Sequence, residues 1–327
     1  MRRVVPGSLL LAAVLVASAP GASSRATFTN PVFRADFPDP FVLRTRGVYY
    51  AYGTNSVFDN VQTLRSPDLV HWKRGKDAMP TLASWILRGR TWAPEVLRRR
   101  DGRYVLYFTA RSVDLGAQCV GRAVARSPAG PFAHGGSKPL VCQTAQGGSI
   151  DPDPFRDSNG RLYLYWKNDG NCCGKPTYIY VQRLTKDGLA LTGKRTRLVR
   201  NDAAWEGTTV EAPTLWRERG RYFLFYSANA YNTRDYAVGY ASCRGPTGPC
   251  TESKDNPILS SACRAAGPGH QTVIRDARGR TWLVYHAWPP GKIGAVTPGR
   301  QLWIDRLEWP GGKPVVKGPT CKPQPVP

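Results

Sequence analysis

The strongest constraint on this chain is an internal repeat. Five stretches each join a charged turn holding one glycine to an alternating aromatic and aliphatic run. They are "LRTRGVYYAYGTNS" from Leu43, "LRRRDGRYVLYFTARS" from Leu97, "FRDSNGRLYLYWKNDG" from Phe155, "LWRERGRYFLFYSANA" from Leu215 and "IRDARGRTWLVYHAW" from Ile274. The turn glycines Gly47, Gly102, Gly160, Gly220 and Gly279 lie 55, 58, 60 and 59 residues apart. Glycine supplies the positive φ such turns need, and the run after it has the two-residue period of a strand. A second echo follows within the units, "VGRAVARSPAGPF" and "VGYASCRGPTGPC", with "TLRSPDLVHW" at the equivalent place in the first. Each unit therefore holds about four short strands, and no long segment has a helical period. Evenly spaced four-stranded units predict an all-β fold, a five-bladed β-propeller with four strands per blade, over residues 28–320. Residues 321–327 read as a short Pro-rich tail. A β-sandwich would not explain the even spacing.

Met1-Arg2-Arg3, the apolar run "SLLLAAVLVASA" at 8–19 and the small residues of "PGASS" describe a secretory signal peptide over residues 1–24. The apolar run is shorter than the ~20 residues that span a bilayer. The expectation is a secreted, extracellular monomer without a membrane partner. Eight cysteines in such a chain favour disulfides. Cys243 and Cys250 flank "RGPTGP" and are the best local pair; Cys119 with Cys142 and Cys263 with Cys321 are weaker assignments. The adjacent Cys172 and Cys173 are expected to pair with different partners. With neither CxxC nor HExxH present, zinc has no support, and no metal ligand is assigned. The formal charge of +23 is spread over turns rather than gathered on a basic helix or nucleic-acid motif. No nucleic-acid partner is expected. Attraction to an anionic extracellular polymer such as pectin is the sharper reading of that charge.

Poor strand formers recur at one register before the turn glycines. Asp39 lies 8 before Gly47, and Glu95 lies 7 before Gly102. Asp151 and Asp153 lie 9 and 7 before Gly160, Glu211 lies 9 before Gly220, and His270 lies 9 before Gly279. In a propeller the first strand of each blade lines the central channel, so these residues converge on one face. Three converging carboxylates without a nucleophilic Ser or Cys signature suggest glycoside hydrolysis. One acid protonates the leaving oxygen, an ionised carboxylate activates water, and a third tunes the acid.

From about Phe33 to about Val316 the chain resembles glycoside hydrolase family 43, five-bladed propeller enzymes acting on arabinose- and xylose-containing polysaccharides. The resemblance is carried by "FPDPFV", "WAPEV", "SIDPDPF", "VEAPTL", "GPGHQT" and "RQLWIDRLEW". It implies Asp39 as general base, Asp151 as the carboxylate that orients and tunes the acid, and Glu211 as general acid. Alignment on the string "DPF" selects Asp153 in place of Asp151; the preceding Ile and the 9-residue offset favour Asp151. The family inverts at the anomeric carbon, so Asp39 and Glu211 are expected about 6.5–9.5 Å apart. Trp92, Trp166 and Trp205 offer aromatic faces to sugar or pack between blades. His270 lines the channel as a substrate contact or a water-mediated hold on a Ca2+ ion, and Arg300 reaches substrate hydroxyls. His286 reads as structural. No cofactor is required.

The expected function is a secreted inverting hydrolase of α-L-arabinofuranosyl linkages in arabinan or arabinoxylan. "GPGHQT" leans toward the arabinan-active part of the resembled family. The rivals are a β-xylosidase and, from another class, a non-catalytic sugar-binding propeller.

Overall fold

In the computed structural model, residues 26–134 and 136–327 are described, together with Met1 and Arg3. The signal-peptide reading thus lies almost wholly outside the described residues. Five four-stranded antiparallel sheets follow one another along the chain, each in simple sequence order. Blade 1 is Phe41–Thr45, Val48–Gly53, Gln62–Ser66 and Lys73–Arg74. Blade 2 is Ile86–Arg98, Tyr104–Ser112, Gln118–Ala125 and Ala133–His134. Blade 3 is Ser149–Arg156, Leu162–Asn168, Tyr178–Leu184 and Leu191–Arg200. Blade 4 is Val210–Glu218, Arg221–Ala228, Ala237–Cys243 and Cys250–Glu252. Blade 5 is Ala266–Arg275, Thr281–Trp288, Gln301–Glu308 and Val315–Lys317. This is the five-bladed propeller that the repeat predicts.

The core is divided into five apolar clusters, one at each blade–blade interface, so both faces of nearly every blade are buried. Tyr52, Trp85 and Phe108 fill the interface of blades 1 and 2, and Tyr107, Leu164 and Trp166 that of blades 2 and 3. Tyr165 and Tyr226 lie between blades 3 and 4, and Phe225 and Trp303 between blades 4 and 5. Ala51, Trp282 and Ile304 join blade 5 to blade 1 and close the ring. Two-sided burial explains why the aromatic runs after each turn glycine are so continuous. In blades 1 to 3 the tyrosine five residues after the turn glycine pins the outer hairpin of the next blade. Tyr52 Oη donates to the Pro128 carbonyl at 2.5 Å, Tyr107 Oη to Gly188 at 2.6 Å, and Tyr165 Oη to Pro246.

The 321–327 segment is more than a tail. Gln324–Pro325 pairs antiparallel with Thr27–Phe28, and Cys321 is bonded to Cys263. Cys119–Cys142 and Cys243–Cys250 are also bonded. The expectation for the remaining two cysteines fails: Cys172 and Cys173 pair with each other. Every other cysteine is already taken, and the two sit in one short turn, Gly170–Cys173.

Candidate active site

Each inner strand begins with one non-glycine residue turned to positive φ: Asp39 at 55°, Ala93 at 45°, Asp151 at 56°, Ala212 at 51° and His270 at 50°. Such residues are uncommon, and five at one register are a designed feature of the backbone. In blades 2 to 5 the ladder to the second strand shifts register there, between Trp92 and Glu95, Ile150 and Asp153, Glu211 and Thr214, and Gly269 and Thr272. The bulge frees one N–H per blade, and a buried N–H needs an acceptor. The acceptor comes from the preceding blade, seven residues after its turn glycine. Thr54 Oγ1 accepts from Ala93 at 3.0 Å, Thr109 Oγ1 from Asp151 at 3.0 Å, and Ser227 Oγ from His270 at 2.8 Å. His286 Nδ1 accepts from Asp39 at 3.1 Å.

The interface of blades 3 and 4 breaks this rule. Its seventh residue is Lys167, whose ammonium cannot accept. Asp151 Oδ2 takes the Ala212 N–H instead, at 3.0 Å. Lys167, fully buried, turns to Glu211 and donates to Oε2 at 3.0 Å and to Asn171 Oδ1 at 2.7 Å. Tyr236 Oη donates to the other Glu211 oxygen at 2.7 Å. One substitution in a structural ring thus fixes Glu211 by both oxygens and places Asp151 against the backbone of the next residue, Ala212. That register separates Asp151 from Asp153 by backbone position. Asp151 shares the positive-φ position with Asp39, whereas Asp153 matches Glu95, two residues further down the channel.

Asp39, Asp151 and Glu211 line one cavity of about 450 Å³ with Trp92, His270 and Arg300. Asp39 is nearly buried, with Arg300 and Thr54 as donors and two imidazoles close by. Arg300 donates to its Oδ1 at 2.8 Å, Thr54 Oγ1 donates to Oδ2, and His270 Nδ1 and His286 Nδ1 lie 3.3 and 3.5 Å from Oδ1. Burial alone would raise its pKa, but Arg300 foremost, with His270 and the Thr54 hydroxyl, holds it well below the usual carboxylate range. Asp151 moves the other way, pushed up to about 6 by burial and the Glu211 charge, with His270 and Lys167 opposing. Below them Glu95 and Asp153 form a buried carboxyl pair. Burial, then the Asp153 charge, pushes Glu95 well above the usual range; burial pushes Asp153 up to about 7. Two carboxyls in contact cannot both ionise in a dry site, so this pair shares a proton.

Not every expected contact is there. Trp166 is fully buried, stacks on Tyr180 at 5.9 Å between ring centroids, and donates Nε1–H to Gln143 Oε1 at 2.5 Å. It is blade packing, out of reach of a sugar. Trp205 packs on Tyr226 and lines a different, more open hollow of about 540 Å³ that gathers no set of carboxylates. His286 is fully buried and structural in the sense above, though it also touches Asp39. The readings from the repeat missed Thr54, Lys167 and Tyr236. The first two share the seventh-residue register, a signal present in the sequence; Tyr236, just before the third strand of blade 4, carries none.

The residues around His270 do not suit direct ligation of Ca2+, which takes about six to eight oxygens. Its Nδ1 faces Asp39 Oδ1, an oxygen already shared with the Arg300 guanidinium. Among the described residues the one acidic or histidine triad close enough to ligate is Asp202, Glu206 and Glu252, outside this pocket.

A propeller whose channel mouth gathers three carboxylates, one held ionised and one raised, has the equipment of a glycoside hydrolase. Residues 28–314 match the model of the glycosyl hydrolases family 43, and the chain belongs to that family. A solved thermostable family-43 glycoside hydrolase is 32% identical, with a TM-score of 0.81 over 92% of this chain and 99% of that one. The β-D-galactofuranosidase xynD of Aspergillus niger is 27% identical over 79% of this chain and 75% of its own length. An extracellular endo-α-(1→5)-L-arabinanase of Thermotoga petrophila is 26% identical over 80% of this chain and 67% of its own.

Proposed function

We propose that the protein is a secreted, inverting α-L-arabinofuranosyl hydrolase acting on arabinan or arabinoxylan. The observation that carries the reading is the gathering of Asp39, Asp151 and Glu211 in one cavity, each held by its own partners. Asp39 is kept ionised chiefly by Arg300, as a base must be, and Glu211 is oriented by Lys167 and Tyr236. Asp39 deprotonates a water that attacks the anomeric carbon; Glu211 delivers a proton to the departing oxygen. Asp151 sets the charge beside Glu211 through its raised pKa. Trp92 supplies a face for the sugar next to the cleaved bond, with His270 and Arg300 at its hydroxyls. The names of the two enzyme relatives given above share a five-membered sugar ring, which supports a furanoside as substrate. Secretion is supported by the leader-like N-terminus, four disulfides and an extracellular relative. The mechanism uses no cofactor.

Hydrolysis of an aryl α-L-arabinofuranoside, an aryl β-D-xyloside and linear arabinan, side by side, tests this. The account expects turnover of the first or third, reduced by about 10²–10⁴-fold in Glu211→Gln. Turnover of the xyloside alone would replace arabinose with xylose in the reading. Sugar binding with no turnover of any would make the propeller a lectin.

A further inference from the structure

Beside the catalytic cavity lies a second one of about 300 Å³, lined by Leu87, Arg90, Trp92, Arg111 and Gln118. Arg90 and Trp92 line both, so the two cavities adjoin. The floor of the second comes from blade 2, where Thr91 pairs with Ala110 and sets Arg90 and Arg111 on the same side of that pair, one residue beyond it on each strand. Both arginines are exposed, and among the described residues neither side chain makes an ion pair or hydrogen bond. Asp169 in the catalytic cavity feels Arg111 at a distance but forms no ion pair with it. Like charges on neighbouring strands repel, and the longer-range attraction of Asp169 to Arg111 offsets that repulsion only in part.

Gln118 is the second, independent observation. It is 3% exposed, yet both its amide nitrogen and its amide oxygen lack a hydrogen-bond partner. A buried amide without partners is costly, and this one lines the same cavity as the two arginines. A missing ligand would satisfy the amide and neutralise the cations together. Its chemistry follows from the lining: an anion for two guanidiniums, a ring for the Trp92 face, and hydroxyls for the Gln118 amide.

We infer that this cleft is a subsite for a carboxylated sugar, a uronic acid unit carried by the polysaccharide next to the glycosyl unit that is cleaved. Arg90 and Arg111 hold the carboxylate, Trp92 stacks on the ring, and Gln118 exchanges hydrogen bonds with a hydroxyl. The preferred substrate is then an arabinose-bearing polymer with an acidic backbone or acidic branches. The inference rests on the glycosidase reading of the adjoining cavity. The basic edge of blade 3 is a weaker rival, because Arg195 and Arg197 there already lie over the Tyr180 and Tyr178 rings.

The test is calorimetric binding of trigalacturonate and of its carboxyl-reduced counterpart to the full chain carrying Glu211→Gln. The acidic trisaccharide is expected to bind at least about tenfold more tightly at low salt, and the preference to shrink as salt rises. Adding Arg90→Gln and Arg111→Gln should abolish the preference, while Arg195→Gln with Arg197→Gln should leave it intact. Equal affinities, or a preference that survives loss of Arg90 and Arg111, would overturn the subsite. Hydrolysis of a neutral aryl furanoside by the wild type is the separate readout for the adjoining cavity. Acid preference dependent on Arg90 and Arg111 without any furanoside turnover would uphold the subsite and sink the enzyme reading.

Discussion

Asp39 and Asp151 occupy the same backbone position in two blades, and their pKa values are pushed in opposite directions. The difference lies in what surrounds them: an Arg300 guanidinium and two imidazoles around the first, burial and the Glu211 charge around the second. Because Asp151 titrates at about 6, kcat is expected to show an inflection near pH 6, absent in Asp151→Asn. A profile unchanged by that substitution would assign the inflection to Asp169, which is also raised to about 6 by burial. The tryptophans separate just as cleanly. Trp166→Ala removes a fully buried ring and should cost about 3–5 kcal/mol in stability without changing KM in the folded fraction. Trp92→Ala should raise KM and leave the denaturation midpoint nearly in place. A raised KM in folded Trp166→Ala would return that residue to the substrate. The aromatic run alone could not tell these roles apart, because both faces of a propeller strand are buried and tryptophan suits either.

At the scale of the element, the device that builds the site is one register in the second strand of each blade. Thr54, Thr109, Ser227 and His286 accept the freed N–H of the next blade; Lys167 is the exception that creates a donor for Glu211. Lys167→Thr restores the hydroxyl of the neighbouring blades and removes the buried ammonium that holds Glu211. The expected result is a folded protein with kcat lowered about a hundredfold, through a general acid no longer held in place. Wild-type turnover in that variant would show that Lys167 is only a packing residue. The repeat and the inward carboxylates were legible in the sequence because glycine turns and Asp-Pro strings are local signals. The seventh-residue register was present but concealed, since a threonine, a serine, a histidine and a lysine share no obvious chemistry until the N–H they face is known. The pairing of Cys172 with Cys173 was not legible at all: it depends on where the other six cysteines meet.

For the molecule as a whole, buried acids set how stability depends on pH. Asp153 and Asp305 titrate at about 7 in the folded chain, raised by burial from an ordinary value near 3.9. A raised carboxyl binds a proton in the folded state that the unfolded chain releases. Its stabilising effect is therefore complete below about pH 4 and is lost as pH rises through about 7, by about 1.4 kcal/mol per pH unit for each such proton. Asp39, held low, acts oppositely: its contribution is present above about pH 3.9 and fades only in stronger acid. Tm should accordingly be higher at pH 5 than at pH 8, and Asp153→Asn should flatten that slope. A Tm that climbs from pH 5 to pH 8 would contradict the buried protons.

The account turns on Asp39 and Glu211 acting from opposite sides of one sugar, and the most direct test is the anomer first released. Proton NMR during hydrolysis of an α-L-arabinofuranoside is expected to show β-L-arabinofuranose appearing before mutarotation. First appearance of the α-anomer would mean a covalent intermediate and contradict the proposed mechanism.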